Sequence, residues 1–344
     1  MPGLRDEIRS QPETIRKTIL SVRADLPALA SYAADVKNGR QVLLTGMGGS
    51  FAAGTLCQFG LIERGVQAMT LESSELLYHF RPLFDTKPLI VMISQSGESR
   101  EIVRLLDELD NRYAKCPVIG ITNNRESSLA RRSTHALVFQ AGEEKTVSTK
   151  TYTCTLAALV LLTSALSGSG EQEAAQAVES AAQAIESSLS DWEAKAHQIA
   201  ERIARTTFVE FLGRGASRAS ALTSALITKE TAKLPAEGMV GGQFRHGPIE
   251  VIAPEITVTI FMGSATERSL NITLAADIAA RGAQVIRIGS SVQHDLGLNI
   301  PPLNELVMPI AEIVPVQLLA AELAGLRGFP VGEFRYGSKV TTTE

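Results

Sequence analysis

Three serines and a glutamine fall within six residues at Ser94-Gln95-Ser96-Gly97-Glu98-Ser99. Before them runs Leu89-Ile90-Val91-Met92-Ile93, short, apolar and rich in β-branched residues. After them Ile102, Val103, Leu105, Leu106 and Leu109 recur at helical spacing. The pattern predicts a buried strand, a tight polar turn and an amphipathic helix. A helix start offers free backbone N–H groups at the positive end of its dipole. Hydroxyls beside it complete a cradle for phosphate oxygens. A single serine there would as readily cap the helix, but three favour a ligand. A second chemical centre is His246, in Gly241-Gly242-Gln243-Phe244-Arg245-His246-Gly247-Pro248, where glycines and proline enforce a shaped loop. Its imidazole titrates near neutral pH and suits proton transfer. His79, His135, His197 and His294 lack such company and are assigned to surface or core. Glu230 follows the apolar helix face of Leu222, Ala225 and Leu226, and reads equally well as a solvated helix acid or a functional one. Lys339, five residues from the end in a threonine tail, reads by composition as a solvent-exposed lysine.

The elements that position these groups alternate. Residues 1–38 are expected to be helical, with Ile8, Ile15, Ile19, Val22 and Leu26 on one face. Strands are expected at Val42-Leu43-Leu44, at 89–93, at 117–121 and at 136–139, with a helix from Phe51 to Ile62. Such alternation implies right-handed crossovers and a mostly parallel, helix-covered sheet. From Ser167 to Ser190 the chain is rich in Ser, Gly, Ala, Glu and Gln, and a helical connector is expected over 169–204. The first half then recurs. Gly213-Arg214-Gly215-Ala216-Ser217 matches Gly46-Met47-Gly48-Gly49-Ser50 at its first glycine, second glycine and serine. Gly46 and Gly213 are 167 apart, as are Ile121 and Ile288, while Leu137 and Leu306 are 169 apart. The fourth strand of the second copy is therefore expected at Glu305-Leu306-Val307-Met308. A duplicated α/β domain follows, over 39–168 and 205–344 with the C-terminal tail.

A chain of 344 residues with 44% hydrophobic and 20% charged residues can bury two full cores. A formal charge of −4 and the lack of any Lys/Arg cluster argue against nucleic acid as a partner. Cys57, Cys116 and Cys154 are widely spaced in apolar contexts and suit buried thiols in a reducing compartment. The charged N-terminus lacks an apolar signal core, and the apolar stretch Leu156 to Leu166 is too short to span a bilayer. A cytoplasmic protein without a membrane partner is expected. No His/Asp/Glu cluster has ligand spacing, so no metal and no other cofactor is expected.

Gly46-x-Gly48 after a strand invites a dinucleotide reading, with Glu72 as the ribose acid. The third glycine of that fingerprint is missing, because position 51 is Phe. Ser50 at the helix start suits a hydroxylated or phosphorylated sugar at least as well.

These residues resemble the sugar isomerase (SIS) family and, within it, the isomerase half of the glutamine:fructose-6-phosphate amidotransferases. The similarity rests on Gly48-Gly49-Ser50, Ser94 to Ser99, Thr122-Asn123 with Ser127 to Arg131, and Val147-Ser148-Thr149-Lys150. In the second half it rests on Thr228-Lys229-Glu230, Phe244-Arg245-His246-Gly247-Pro248 and the tail Lys339 to Glu344. The resemblance implies two tandem SIS domains, each a mostly parallel five-stranded sheet flanked by helices. It implies Ser94, Gln95, Ser96 and Ser99 on the phosphate of a hexose or hexosamine phosphate, and Gly49, Ser50, Ser148 and Ser338 also on the substrate. By resemblance His246 opens the sugar ring, Glu230 shuttles a proton between C1 and C2, and Lys339 forms a Schiff base with the open-chain ketose. It also implies a homodimer, with His246 serving its own site or the partner's.

Two departures shape the expected activity. No catalytic cysteine follows Met1 and nothing precedes the isomerase part, so no ammonia is expected from glutamine. Ile227 stands where the synthases carry a second active-site lysine, and Thr146 replaces a valine beside the phosphate pocket. The expected reaction is therefore catabolic: glucosamine 6-phosphate to fructose 6-phosphate and ammonia. Rival readings are cleavage of fructosamine 6-phosphates to sugar phosphate and free amine, and a sugar phosphate sensor without turnover, since SIS domains also occur as regulatory modules.

Overall fold

The computed structural model describes residues 3–339. Ten strands form two sheets. The first contains β1 (Val42–Gly46), β2 (Ala68–Glu72), β3 (Leu89–Ile93), β4 (Val118–Thr122) and β5 (His135–Val138), in the order β2-β1-β3-β4-β5. The second contains β6 (Phe208–Gly213), β7 (Ala236–Val240), β8 (Ile256–Phe261), β9 (Gln284–Gly289) and β10 (Gly297–Asn299), in the order β10-β9-β8-β6-β7. Every pairing is parallel. Both sheets thus share one topology, as the repeat implies.

The described chain divides into two compact units. Residues 13–144, 150–179 and 336–339 make the first, and residues 3–12, 145–149 and 180–335 the second. In the first, the helix Arg100–Arg112 buries Ile102, Leu105, Leu106 and Leu109. They join Leu43, Ile90 and Met92 of the sheet in one core. The helix Lys150–Ser167 is buried along nearly its whole length, as the apolar run predicts. Cys57, Cys116 and Cys154 are buried free thiols, and burial pushes Cys57 up to about 12 and Cys154 up to about 11. In the second unit, Leu212, Val258, Ile260 and Val285 pack with Leu274, Ala275 and Ile278 of the helix Ala265–Ala279.

One expected strand is absent. Residues Glu305–Val307 form a 3₁₀ turn that leads into the helix Met308–Leu326, and the fourth strand of the second copy is Gly297–Asn299. A short apolar run is ambiguous between strand and buried helix, and here it begins a helix that is apolar on all sides. Glu305–Leu326 is also the one described helix long and apolar enough to cross a membrane, and it is almost wholly buried in the fold.

That helix carries Glu312, which is fully buried. Ser217 Oγ donates to its Oε1 at 3.0 Å and Ser220 Oγ to its Oε2 at 2.7 Å. Burial outweighs these two bonds and pushes the carboxyl up to about 7. The folded state therefore holds this proton more tightly than the unfolded chain does. Stability from this group is full below the unfolded value and falls as pH rises toward 7. The shift corresponds to roughly 3 kcal/mol, at about 1.4 kcal/mol per pH unit. Glu312→Gln, which keeps the shape and both serine contacts, should gain stability on wild type between pH 5 and pH 8. Urea midpoints at the two pH values measure it, and an equal difference at both would show that Glu312 does not titrate there.

Candidate functional site

In the first sheet the strand order reverses between β1 and β3, which pair from Val42↔Leu89 to Gly46↔Ile93. Open parallel sheets bind ligands beyond the carboxyl ends of the strands at such a switch point. The first turn of the helix Gly48–Ile62, with Gly49 and Ser50, and the turn after β3, with Ser94 to Ser99, follow these two adjacent strands. Gly46 permits the approach, because a Cβ on it would lie 2.9 Å from both Ile93 O and Ser50 Cβ.

The serine turn is held from within and from below. Ser94 N donates to Ile121 O at 3.0 Å, and Gln95 O accepts from Asn123 N at 3.0 Å and from Thr122 Oγ1 at 3.1 Å. Gly97, at φ +66°, donates its N–H to Ser94 Oγ at 3.1 Å and accepts from Leu129 N at 3.1 Å. Ser94 Oγ and Ser99 Oγ lie 3.4 Å apart. Ser96 Oγ accepts from Glu98 N at 3.2 Å and does not cap the helix. Ser99 holds the N-cap position of Arg100–Arg112, with no side-chain bond to the helix. Glu98, the one acid of the turn, is directed elsewhere, accepting from Ser128 N at 2.6 Å and Ser128 Oγ at 2.9 Å. The turn thus leads into a helix start that carries hydroxyls, while Glu98 is tied to Ser128 and Glu101, in the helix's first turn, is buried.

The second sheet has the same switch point between β6 and β8, but its groups are engaged internally. Ser264, the counterpart of the serine turn, closes a capping box with Glu267. Ser217, the counterpart of Ser50, donates to Glu312. The dinucleotide reading finds no support either. Glu72 caps the helix Ser73–Tyr78, accepting from Glu75 N at 3.2 Å and Ser74 Oγ at 2.5 Å.

Other sequence-derived residues fall as follows. Lys339 Nζ donates to Glu144 Oε2 within the first unit. Glu144 comes after β5, and it shares a compact unit with Lys339 and the serine turn. Ser338, beside it, is exposed. Ser148 groups with the second unit and is half-buried. Glu230 and His246 also belong to the second unit. Glu230 is half-buried in the last turn of the helix Arg218–Ala232, where its carbonyl accepts from Lys233 Nζ. His246 is exposed in a pinned loop: Phe244 is fully buried, Arg245 pairs with Asp277 at 2.7 Å, and Gly247 adopts φ +120°. Thr146 owes its hydroxyl to a local need, since it donates to buried Glu7.

The family model for the SIS domain matches residues 36–165 and 205–325. The chain belongs to the SIS domain family. It comprises two tandem SIS domains, each with a parallel five-stranded sheet flanked by helices. A glutamine–fructose-6-phosphate aminotransferase (isomerizing) of Sulfurisphaera tokodaii is 30% identical over 342 residues, covering 98% of this chain and 56% of that protein. The SIS chain thus spans a little over half the length of such relatives. Two solved structures share its fold. The C-terminal domain of glucosamine-fructose-6-phosphate aminotransferase from Francisella tularensis superposes with a TM-score of 0.87 at 24% identity, covering 96% of this chain and 97% of that one. Tagatose-6-phosphate ketose/aldose isomerase from Escherichia coli gives 0.84 at 20% identity, covering 96% and 95%.

Two residues of this SIS chain escape a reading of the sequence. Glu98 and Glu144 each look like solvated loop acids, yet one is locked onto Ser128 and the other is buried at 6% exposure. Adjacent Glu143 is exposed, so nothing in Glu143-Glu144 marks which acid turns inward.

Proposed function

We propose that this SIS protein is an amino sugar phosphate isomerase/deaminase that converts glucosamine 6-phosphate to fructose 6-phosphate and ammonia. The hydroxyl-lined, side-chain-uncapped helix start at the first switch point carries this reading. It suits the dianionic phosphate, with Ser94, Gln95, Ser96 and Ser99 as ligands and Gly49, Ser50, Ser148 and Ser338 on the rest of the sugar phosphate. His246 takes the ring-opening step, moving the anomeric hydroxyl proton to the ring oxygen. Glu230 then carries a proton from C2 to C1, which turns the open-chain amine into a C2 imine. The amine of Lys339 displaces ammonia from that imine, and water hydrolyses the resulting Schiff base to release the ketose. One water is consumed for each ammonia released.

The test is a panel of phosphorylated amino sugars with the purified protein, scored for ammonia and for free amine. Ammonia from glucosamine 6-phosphate is expected. Free amine from fructosamine 6-phosphates with no ammonia would replace the reading by deglycation, and neither product from any member would leave a binding protein.

A further inference from the structure

We infer that Glu144 is the positioning residue for the Lys339 amine, docking the tail on the first sheet so that the amine is presented to substrate. The inference rests on the imine role proposed above for Lys339. Glu144 is buried, with a fully enclosed side chain. Both its oxygens are fixed by the start of the helix Lys150–Ser167: Oε1 accepts from Thr151 N at 3.1 Å and Oε2 from Thr151 Oγ1 at 2.5 Å. The carboxylate is thus held by a helix start and its dipole, and cannot follow the tail if the tail moves. Lys339 Nζ is the group that comes to it, on a segment without helix or strand from Gly337 to Lys339. A lysine stem has four rotatable carbons, so an amine on an irregular segment samples many positions unless a fixed charge selects one. An enclosed carboxylate selects strongly, because little water competes for the ammonium.

Both partners and the serine turn belong to one compact unit. Phosphate binding uses the turn after β3, whereas Glu144 lies after β5, so the two functions separate by mutation. Glu144→Gln removes the charge and keeps the volume. It should leave the affinity for sorbitol 6-phosphate, which has no carbonyl, nearly unchanged. It should lower kcat and Schiff-base formation on the order of 10²-fold, the cost of a misplaced reacting group. Glu144→Asp, which keeps the charge, should recover part of both.

The measurement is borohydride trapping with fructose 6-phosphate, followed by mass spectrometry of the tail peptide, alongside calorimetry with sorbitol 6-phosphate. Wild type should carry a hexitol phosphate on Lys339, Glu144→Gln little of it and Glu144→Asp an intermediate amount. Equal adduct in wild type and Glu144→Gln overturns the role of Glu144 and leaves the imine reading standing. Loss of sorbitol 6-phosphate binding together with the adduct makes Glu144 a merely structural acid and overturns the inference too. No adduct on Lys339 in wild type overturns the imine reading itself, and this role with it.

Discussion

Glu230→Gln is expected to release ammonia from glucosamine 6-phosphate about 10²- to 10⁴-fold more slowly than wild type, the usual contribution of a positioned general base. KM should change little, because the proposed phosphate cradle is untouched and the amide keeps the carboxylate's volume. The variant should also fold normally. Its helix end is held at a carbonyl that the substitution keeps: Lys233, in the left-handed C-cap position at φ +52°, donates its Nζ to Glu230 O. Lys233 also donates to Glu333 O at 2.6 Å, so the helix end and the following tail stay joined. A fall in kcat and kcat/KM by the same factor identifies an interaction made in the transition state. A loss smaller than tenfold would remove Glu230 from the proton transfer. Mixing this variant with His246→Ala addresses the proposed homodimer. Exposed His246 serving a partner's site predicts that activity returns in the mixture, while two inactive proteins that stay inactive mean that each site takes both residues from the same subunit.

What could be read in advance followed physical pattern. The strand Leu89–Ile93 and the helix after Ser99 carry signals that local chemistry enforces: a β-branched run, then apolar residues at helical spacing. The repeat made the second sheet legible through the first. β7 escaped because Ala236-Glu237-Gly238-Met239-Val240 has few strand formers. Gly238 is there for packing, since a Cβ on it would lie 2.4 Å from Ala221 O of the adjacent helix. The misplaced fourth strand failed for a different reason. The repeat spacing was extended through a loop whose length the two copies do not share, and an apolar run was waiting at the wrong place. In the candidate site the hydroxyls were legible as types, but their engagement was not. Ser96 and Ser264 each stand three residues past the end of matching strands, and only the fold shows that one accepts from Glu98 N while the other is closed by Glu267. Burial of Glu144 and Glu312 depends on distant segments, Lys339 for one and the helix Arg218–Ala232 for the other, and no local pattern records it.

Gly97→Ala should abolish phosphate binding while leaving the rest of the first sheet intact. Two independent costs meet at this position. At φ +66° a side chain enters the left-handed region, which costs roughly 1–2 kcal/mol. The added methyl would also lie 2.3 Å from Ser127 Oγ, 2.6 Å from Ser127 Cβ and 3.0 Å from Thr122 Oγ1, a clash that overpacking studies place at about 1–3 kcal/mol. Relief by moving Gly97 would break its bond to Ser94 Oγ and its acceptance from Leu129 N, the two contacts that aim the turn. The expected result is a lower urea midpoint and no measurable affinity for sorbitol 6-phosphate. Adding Ser127→Gly removes both nearest atoms, and glycine at that N-cap, which now accepts from Ala130 N, costs only a few tenths of a kcal/mol. The double variant should therefore regain part of the binding, limited by the backbone strain that remains. Tight binding by Gly97→Ala alone would mean that the turn is not the phosphate cradle. Equal loss in single and double variants would mean that backbone conformation, not the contact with Ser127, dictates glycine here.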